Sequence, residues 1–155
     1  MHKGGYMKIS IDHVCILVKD IREASGFYRD ILGLEPTEEF EGLRGTPGAS
    51  RGVMYRFGDV GLELMAPAGP DSILLNRSLE KRGEGLHHYC FLVDEDEMDT
   101  VIRKCQAAGI RLVDNSGEVA KLGEISVWTH PRSTHGTAIQ FMTKGALADF
   151  RERAY

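Results

Sequence analysis

The sequence of 155 residues predicts an α+β fold in which two tandem βαβββ modules form one curved mixed sheet. The first observation behind this is a repeat. Residues 12–18, Asp-His-Val-Cys-Ile-Leu-Val, return 75 positions later as His-His-Tyr-Cys-Phe-Leu-Val at 87–93. The second is the same order of a strand, a helix and three strands in each half. A chain built twice from one unit predicts matching side chains around one pseudo-twofold axis.

The first module covers about 9–67. Residues 9–18 are rich in Ile and Val and predict a buried strand. Asp20 is the expected N-cap of a helix that runs to about Leu32, with Gly33 at its end. Alternation and turn residues then predict three strands, at about 34–40, 52–57 and 61–66.

A linker helix is expected over about 71–82, after a break rich in Pro and Gly, with Asp71 or Ser72 as its cap. The second module covers about 86–143, and its helix is expected over about 95–108. Three further strands are predicted at about 111–114, 124–129 and 137–142. The charged tail that remains, 144–155, predicts a short helix or a contact with a partner.

Length and composition are typical of a soluble protein with a single domain over 1–155. The apolar fraction is 42% and the charged fraction 27%. A net charge of −4 without a stripe of Lys and Arg argues against nucleic acid as a partner. A membrane span would need an apolar run of about 18 residues, and none is present in the sequence.

Cysteine usage indicates a reduced compartment. The chain has three cysteines, an odd number that does not predict a disulfide framework. Cys15 and Cys90 occupy matching positions of the repeat, and we expect both to be small buried apolar side chains. A cytoplasmic location follows as the default expectation.

The repeat also places polar side chains on matching strand faces. His13 and His88 begin the two copies, and Glu63 and Gln140 lie at the corresponding closing strands. If both halves curl around the same axis, the four side chains converge inside a cup around one metal site. Two imidazoles, a carboxylate and an amide oxygen suit a divalent ion such as Co, Zn, Ni, Mn or Fe. The alternative is a set of hydrogen-bonded core residues, but a buried carboxylate such as Glu63 is rare unless it is paired or binds metal.

Several segments resemble the vicinal oxygen chelate superfamily over about 9–143. The resemblance is carried by Ile-Asp-His-Val at 11–14 and by Phe-Tyr-Arg-Asp-Ile-Leu-Gly-Leu at 27–34. Within this family, three segments are similar to the methylmalonyl-CoA epimerases, namely 62–67, 83–88 and 129–133. Glyoxalase I shares the fold and the layout of ligands, but it matches the middle of the chain less closely.

The resemblance implies that His13, Glu63, His88 and Gln140 are the metal ligands. It also implies chemistry in which two substrate oxygens chelate the ion, which stabilises an enolate while a carboxylate moves the α-proton. The family usually has Glu at the last ligand, and Gln140 cannot accept and return a proton as a carboxylate does. Glu63, at the symmetric position, is therefore the predicted catalytic base. His87 is expected to alternate to the opposite face and to be structural.

A second acid or base for epimerisation is not evident in the sequence. The strand 51–57 has no carboxylate, and Tyr55 is its only acid. Glu38, Glu39 and Glu41 are near in sequence and are expected to form a solvated edge.

Three cations beyond the ligands are candidates for binding substrate. Lys121, Arg132 and His135 could contact a phosphate or carboxylate tail at the mouth of the cup. Ordinary polar turns are the alternative interpretation for all three.

The predicted function is a metal-dependent isomerase, similar to methylmalonyl-CoA epimerase, that moves a proton α to a thioester carbonyl. The alternative prediction is a glyoxalase I-like lactoylglutathione lyase. The expected substrate is therefore an acyl thioester or a glutathione adduct. An Fe(II) ring-cleaving dioxygenase remains open, because His13, His88 and Glu63 formally make a 2-His-1-carboxylate set. A protein that only sequesters a ligand is the non-enzymatic alternative. These folds commonly pair, and a homodimer is expected.

Overall fold

The computed structural model describes residues 7–42 and 49–153, which form a mixed eight-stranded sheet and four α-helices. The strands are β1 Ser10–Leu17, β2 Glu38–Gly42, β3 Ser50–Phe57, β4 Val60–Pro67, β5 Gly85–Val93, β6 Leu112–Val113, β7 Ser126–Thr129 and β8 Ala138–Thr143. The α-helices are α1 Ile21–Gly26, α2 Ile73–Arg82, α3 Met98–Ala107 and α4 Lys144–Arg153. The predicted α+β class with a curved mixed sheet is confirmed.

The order of strands repeats the duplication seen in the sequence. Across the sheet the order is β2-β3-β4-β1-β5-β8-β7-β6. Within each half the first and last strands are parallel neighbours, β1 with β4 and β5 with β8. The antiparallel pair of β1 and β5 joins the halves, so the pseudo-twofold axis passes between the two strands that carry the repeated motif.

Helices α1 and α3 cover the convex face of the sheet, whereas α2 packs against one end of the concave face, whose centre carries polar side chains. Side chains of α1 pack on β3 and β4, in a cluster that includes Tyr55, Leu64 and Ala66. Side chains of α3 pack on the other half, around Ile102 and Val127. Because residues alternate along a strand, the residues between these buried ones point into the cup.

The helices differ from their predicted form at two places. The first is α-helical only to Gly26 and continues as a π-helical turn, Phe27–Ile31, before Gly33 ends it with a φ of 65°. Ser72 does precede α2, but its hydroxyl accepts hydrogen bonds from the backbone N–H groups of Ala68 and Gly69 and not from the helix. It therefore stabilises the preceding turn.

The tail forms a helix, as one of the two predicted alternatives stated. α4 follows β8 directly, and its Leu147 is buried. Over the described part of the chain, none of the helices has the length and apolar character that crossing a membrane requires.

Candidate metal and catalytic site

Three of the four predicted ligands meet at the centre of the concave face. His13 Nε2 lies 3.1 Å from Glu63 Oε2 and 3.2 Å from His88 Nε2. The remaining separation, from His88 Nε2 to Glu63 Oε2, is 3.7 Å. All three side chains are buried. They come from β1, β4 and β5, the three central strands, so the convergence follows from the parallel pairing of β1 with β4 and the antiparallel pairing of β1 with β5.

These separations fit a divalent metal ion. Bonds of about 2.0–2.2 Å from a metal to nitrogen and oxygen ligands place neighbouring ligand atoms roughly 3.0–3.4 Å apart in octahedral or tetrahedral geometry. The three atoms therefore need little movement to share one ion. Two imidazoles with one carboxylate are also the ligand types that borderline divalent ions prefer.

Two β-bulges place a residue directly beside each histidine. The pairing of β1 with β5 skips Asp12 on one strand and His87 on the other. An extra residue interrupts the alternation of faces, so each of these side chains can reach its neighbour in sequence. Asp12 Oδ2 lies 2.8 Å from His13 Nδ1, and His87 Nδ1 lies 2.8 Å from His88 Nδ1. The expectation that His87 alternates to the opposite face is wrong, because the bulge turns it towards the site.

Both contacts occupy the Nδ1 atom and leave Nε2 of each histidine for a ligand role. A carboxylate or imidazole that accepts the Nδ1 proton selects this tautomer and fixes the ring orientation. Asp12 and His87 thus act on the two ligands in the same way from equivalent positions of the repeat. This spacing of 75 residues was a usable signal in the sequence, since Asp12-His13 and His87-His88 align directly.

The pKa values of the two histidines are shifted in opposite directions. Burial disfavours a charge on His13, but hydrogen bonds to Asp12 and Glu63 outweigh it and raise its pKa to about 9. Burial, followed by the charges of His87 and His13, keeps the pKa of His88 well below its ordinary value. Burial also lowers the pKa of His87 to about 4, so His87 is a neutral hydrogen-bond partner. The first half of the site is therefore the more anionic one.

Cys15 lies beside the cluster as a buried, neutral thiol. Its side chain is fully buried, as predicted, and burial raises the pKa of its thiol well above the ordinary value. In the sheet register Cys15 of β1 lies opposite Glu63 of β4. The sulfur also lies within 4.8 Å of the ligand atoms of His87 and His88. Because a protonated thiol is a poor metal ligand, we do not count Cys15 among the candidate ligands.

Gln140, the fourth predicted ligand, lies on the same face in the second half. It is buried on β8, beside Cys90 of β5 and Trp128 of β7 in the sheet register. Its amide nitrogen donates to Ser126 Oγ at 3.2 Å. The amide oxygen, which is the atom predicted to bind metal, takes no part in this hydrogen bond. The Trp128 ring packs edge-on against His88 at 4.8 Å and closes this side of the cluster. A ligand role for Gln140 stays a prediction.

The three predicted substrate-binding cations are exposed and do not lie together. Arg132 and His135 belong to the connection from β7 to β8, which lies at the end of the sheet where β5 begins. Lys121 precedes β7 and therefore lies at the opposite end of that strand. Arg132 and His135 are thus placed to contact the same bound ligand, and Lys121 lies apart from them. The substrate-binding roles of all three residues stay predictions.

Tyr55 lies away from the candidate metal site. It is buried on the convex face, where its ring stacks on Tyr28 at 5.0 Å. It also lines a cavity of about 730 Å³ between α1 and the β2-β3 pair, which contains none of the four predicted ligands. Of the three nearby glutamates, Glu38 points to the concave face, and it is paired there with Arg56 and Arg151.

Comparison with known proteins agrees with this geometry. Residues 12–127, more than half of the chain, match the glyoxalase/bleomycin resistance protein/dioxygenase superfamily. The chain belongs to this superfamily. The predicted membership of the vicinal oxygen chelate superfamily is thereby confirmed, and the superfamily is the one whose metal ligands the sequence analysis carried over to this chain.

Several of the relatives found are methylmalonyl-CoA epimerases. The mitochondrial enzyme of Mus musculus is 26% identical over 133 residues, which cover 84% of this chain and 70% of that protein. The Homo sapiens enzyme is 26% identical over 133 residues, covering 84% of this chain and 71% of that protein. The crystal structure of the epimerase from Mycobacterium tuberculosis matches with a TM-score of 0.68 and 26% identity, over 92% of this chain and 93% of that one.

A further structure, a methylmalonyl-CoA epimerase in complex with methylmalonyl-CoA and NH4+, shares the fold. Its TM-score is 0.68 at 24% identity, over 88% of this chain and 94% of that one.

Proposed function

We propose that this chain is a metal-dependent epimerase that moves the proton α to a thioester carbonyl, as in methylmalonyl-CoA epimerase. The observation that carries the proposal is the convergence of His13 Nε2, His88 Nε2 and Glu63 Oε2 within 3.1–3.7 Å. The likeness to methylmalonyl-CoA epimerases in sequence supports the substrate class, an acyl-CoA thioester.

One divalent ion, held by His13, Glu63, His88 and Gln140, would draw electron density from substrate oxygens and so make the α-proton more acidic. The Glu63 carboxylate takes that proton, since Gln140 at the symmetric position has no acid–base capacity. The fully buried Cys15 lies opposite Glu63 in the sheet register and packs beside its side chain. Asp12 and His87 fix the two imidazole rings, and Trp128 limits the access of water beside His88.

The geometry favours epimerisation by one base with solvent exchange. Asp12 and Glu38 also point to the concave face, but their carboxylates are paired with Arg56 and Arg151. Burial opposes ionisation of Asp12, but hydrogen bonds to His13 and Arg151 lower its pKa and make it a poor proton donor. The Glu38 carboxylate is engaged by two guanidinium groups. Glu63 is therefore the group that we expect to remove the proton, and a proton from water reaches the opposite face of the α-carbon to give the other epimer.

The test is the incorporation of deuterium from heavy water into methylmalonyl-CoA, other acyl-CoA thioesters and glutathione adducts, with defined metals added. We expect exchange with an acyl-CoA and deuterium in both the product and the recovered substrate. Glu63→Gln should lower the exchange rate by about 10²–10⁴-fold, because it removes the base and keeps an oxygen ligand. Metal content, measured on the same samples, should remain.

Glu39→Gln is the matched control, since Glu39 is an exposed carboxylate on β2 that points away from the cup. It should exchange at the wild-type rate. Full exchange by metal-loaded Glu63→Gln would show that the base is another group. Exchange only with glutathione adducts would overturn the acyl-CoA assignment.

We further propose that the chain forms a homodimer through the convex face of β1 and β5. The helices α1 and α3 cover the outer strands and leave an apolar stripe between them. The stripe consists of Ile11, Val14, Leu86, Tyr89 and Phe91, of which Ile11 and Leu86 are 41% and 40% exposed. Because the pseudo-twofold axis runs through the stripe, a second copy matches it with the same residues.

Light scattering after size-exclusion chromatography tests the dimer. The wild-type protein should have twice the mass of the 17.2 kDa chain, and Ile11→Arg should run as a monomer with unchanged metal content. A monomeric wild-type protein would contradict the proposal.

A further inference from the structure

The metal ligand His13 is connected to the C-terminal helix through a chain of charged groups. Asp12 Oδ2 faces His13 Nδ1, and the other oxygen of Asp12 faces two guanidinium groups. Arg151 Nη2 of α4 donates to Asp12 Oδ1 at 2.9 Å, and Arg56 Nη1 of β3 donates to the same atom at 3.2 Å. The contact of Arg151 with Asp12 spans 139 positions of the chain.

Several contacts of α4 with the rest of the fold hold Arg151 in its position. At the start of α4, Lys144 forms an ion pair with Asp94, and the backbone N–H of Gly145 donates to Glu95. Leu147 is buried in the middle of the helix. At its end Phe150 packs edge-on against Phe40 of β2 at 5.9 Å. The helix thus crosses from the end of the second module to the first, and it lies beyond the residues 12–127 that match the superfamily.

The buried carboxylate of Asp12 needs these cations. Its side chain is 5% exposed, whereas that of Arg151 is 36% exposed. A carboxylate that is withdrawn from water must be compensated by charge and hydrogen bonds, or it reorients or takes up a proton. With Oδ1 held by two guanidiniums, Oδ2 is fixed towards His13, and the ring keeps Nε2 directed into the cup.

We propose that Arg151 is a positioning residue for the metal centre, so that docking of α4 preorganises His13 through Asp12. The inference rests on the proposed metal site, whose ligands Arg151 does not touch. It assigns to the C-terminal helix a specific effect on metal affinity that differs from a general effect on fold stability. It also predicts that the effect of Arg151 passes through the Asp12 carboxylate.

The experiment is titration of the metal-free protein with Co²⁺, followed by its visible absorption bands, for the wild type and variants. Arg151→Met should weaken Co²⁺ binding by about 10-fold, within the 10–100-fold range of outer-shell substitutions. Arg151→Lys should recover part of the loss, since an ammonium group can keep one contact with Asp12. Glu152→Gln is the control. It removes an exposed charge from the same helix, next to Arg151 and outside the docking contacts described above, and it should bind Co²⁺ as the wild type does.

A double-variant cycle with Asp12→Asn separates positioning from stability. If Arg151 acts through Asp12, Arg151→Met should cause no further loss of affinity in the Asp12→Asn background. Equal Co²⁺ affinity of Arg151→Met and the wild type, or the same loss in both backgrounds, would overturn the inference while the metal site stands. A wild-type protein that binds no Co²⁺, Zn²⁺, Ni²⁺ or Mn²⁺ would overturn the metal site itself and this inference with it.

Discussion

Asp12 and His87 occupy equivalent positions in the two halves but offer different chemistry to the ligands they orient. A carboxylate makes the imidazole it contacts a more basic ligand, whereas a neutral imidazole acts mainly by fixing the ring. Asp12 faces the histidine that lies closer to Glu63, at 3.1 Å against 3.7 Å for His88. Negative charge is thus concentrated in the half that carries the proposed base.

Replacing His87 should weaken metal binding. In His87→Phe the Nδ1 proton of His88 loses its acceptor, while most of the ring volume is kept. We expect the affinity for Zn²⁺ to fall by about 10–100-fold, measured by competition with a chromophoric chelator. Tyr89→Phe is the control, because Tyr89 lies on the same strand and faces the other side of the sheet. Unchanged affinity in His87→Phe would mean that the contact between the two rings does not orient His88.

At the scale of elements, the edge strand β2 depends on a close approach to its neighbour. The ring of Phe40 lies directly over Gly52 of β3, where a Cβ atom would come within 2.2 Å of the ring and 2.9 Å of the Leu64 carbonyl oxygen. Because Phe40 also contacts Phe150, this packing supports the docking of α4.

Gly52→Ala should therefore destabilise the fold. A new methyl group forces Phe40 out of its position, and overpacking of this kind costs about 1–3 kcal/mol in the free energy of unfolding. Urea denaturation measures the change. Gly69→Ala is the matched control, since no atom lies within 4 Å of its added Cβ. If both variants unfold at the same urea concentration as the wild type, the ring of Phe40 does not pack on Gly52 in solution.

At the scale of the molecule, the site joins the two halves, since His13 and Glu63 come from the first and His88 from the second. A metal ion bound to all three exists only in the folded state and should stabilise the whole fold. At a free metal concentration of about 100 times Kd, the gain is about 2.7 kcal/mol.

For a domain of this length we expect the Tm to rise by roughly 5–10 °C on addition of metal. Differential scanning calorimetry checks this, and a chelator should reverse the rise. His88→Ala should show a much smaller shift, because it removes the imidazole ligand that the second half contributes. An equal shift in that variant would place the bound metal elsewhere.

Much of this molecule could be predicted from the sequence. The repeated motif marked β1 and β5, and the convergence of His13, Glu63 and His88 follows from its spacing. These features depend on alternation along a strand, which is a local property of the backbone. The Gln at position 140 was likewise visible as a departure from the family pattern.

What only the tertiary structure decided is how the residues around the ligands are arranged. Strict alternation sent His87 to the wrong face, because a bulge depends on how two strands pair and not on either strand alone. The chain from Arg151 to Asp12 joins residues 139 positions apart, and no periodicity records such a contact. The sequence by itself determined the fold and the candidate ligand set, since both are repeated locally. The bulges, the thiol of Cys15 beside Glu63 and the tail helix arise from long-range packing, which exists only once the two halves have closed on each other.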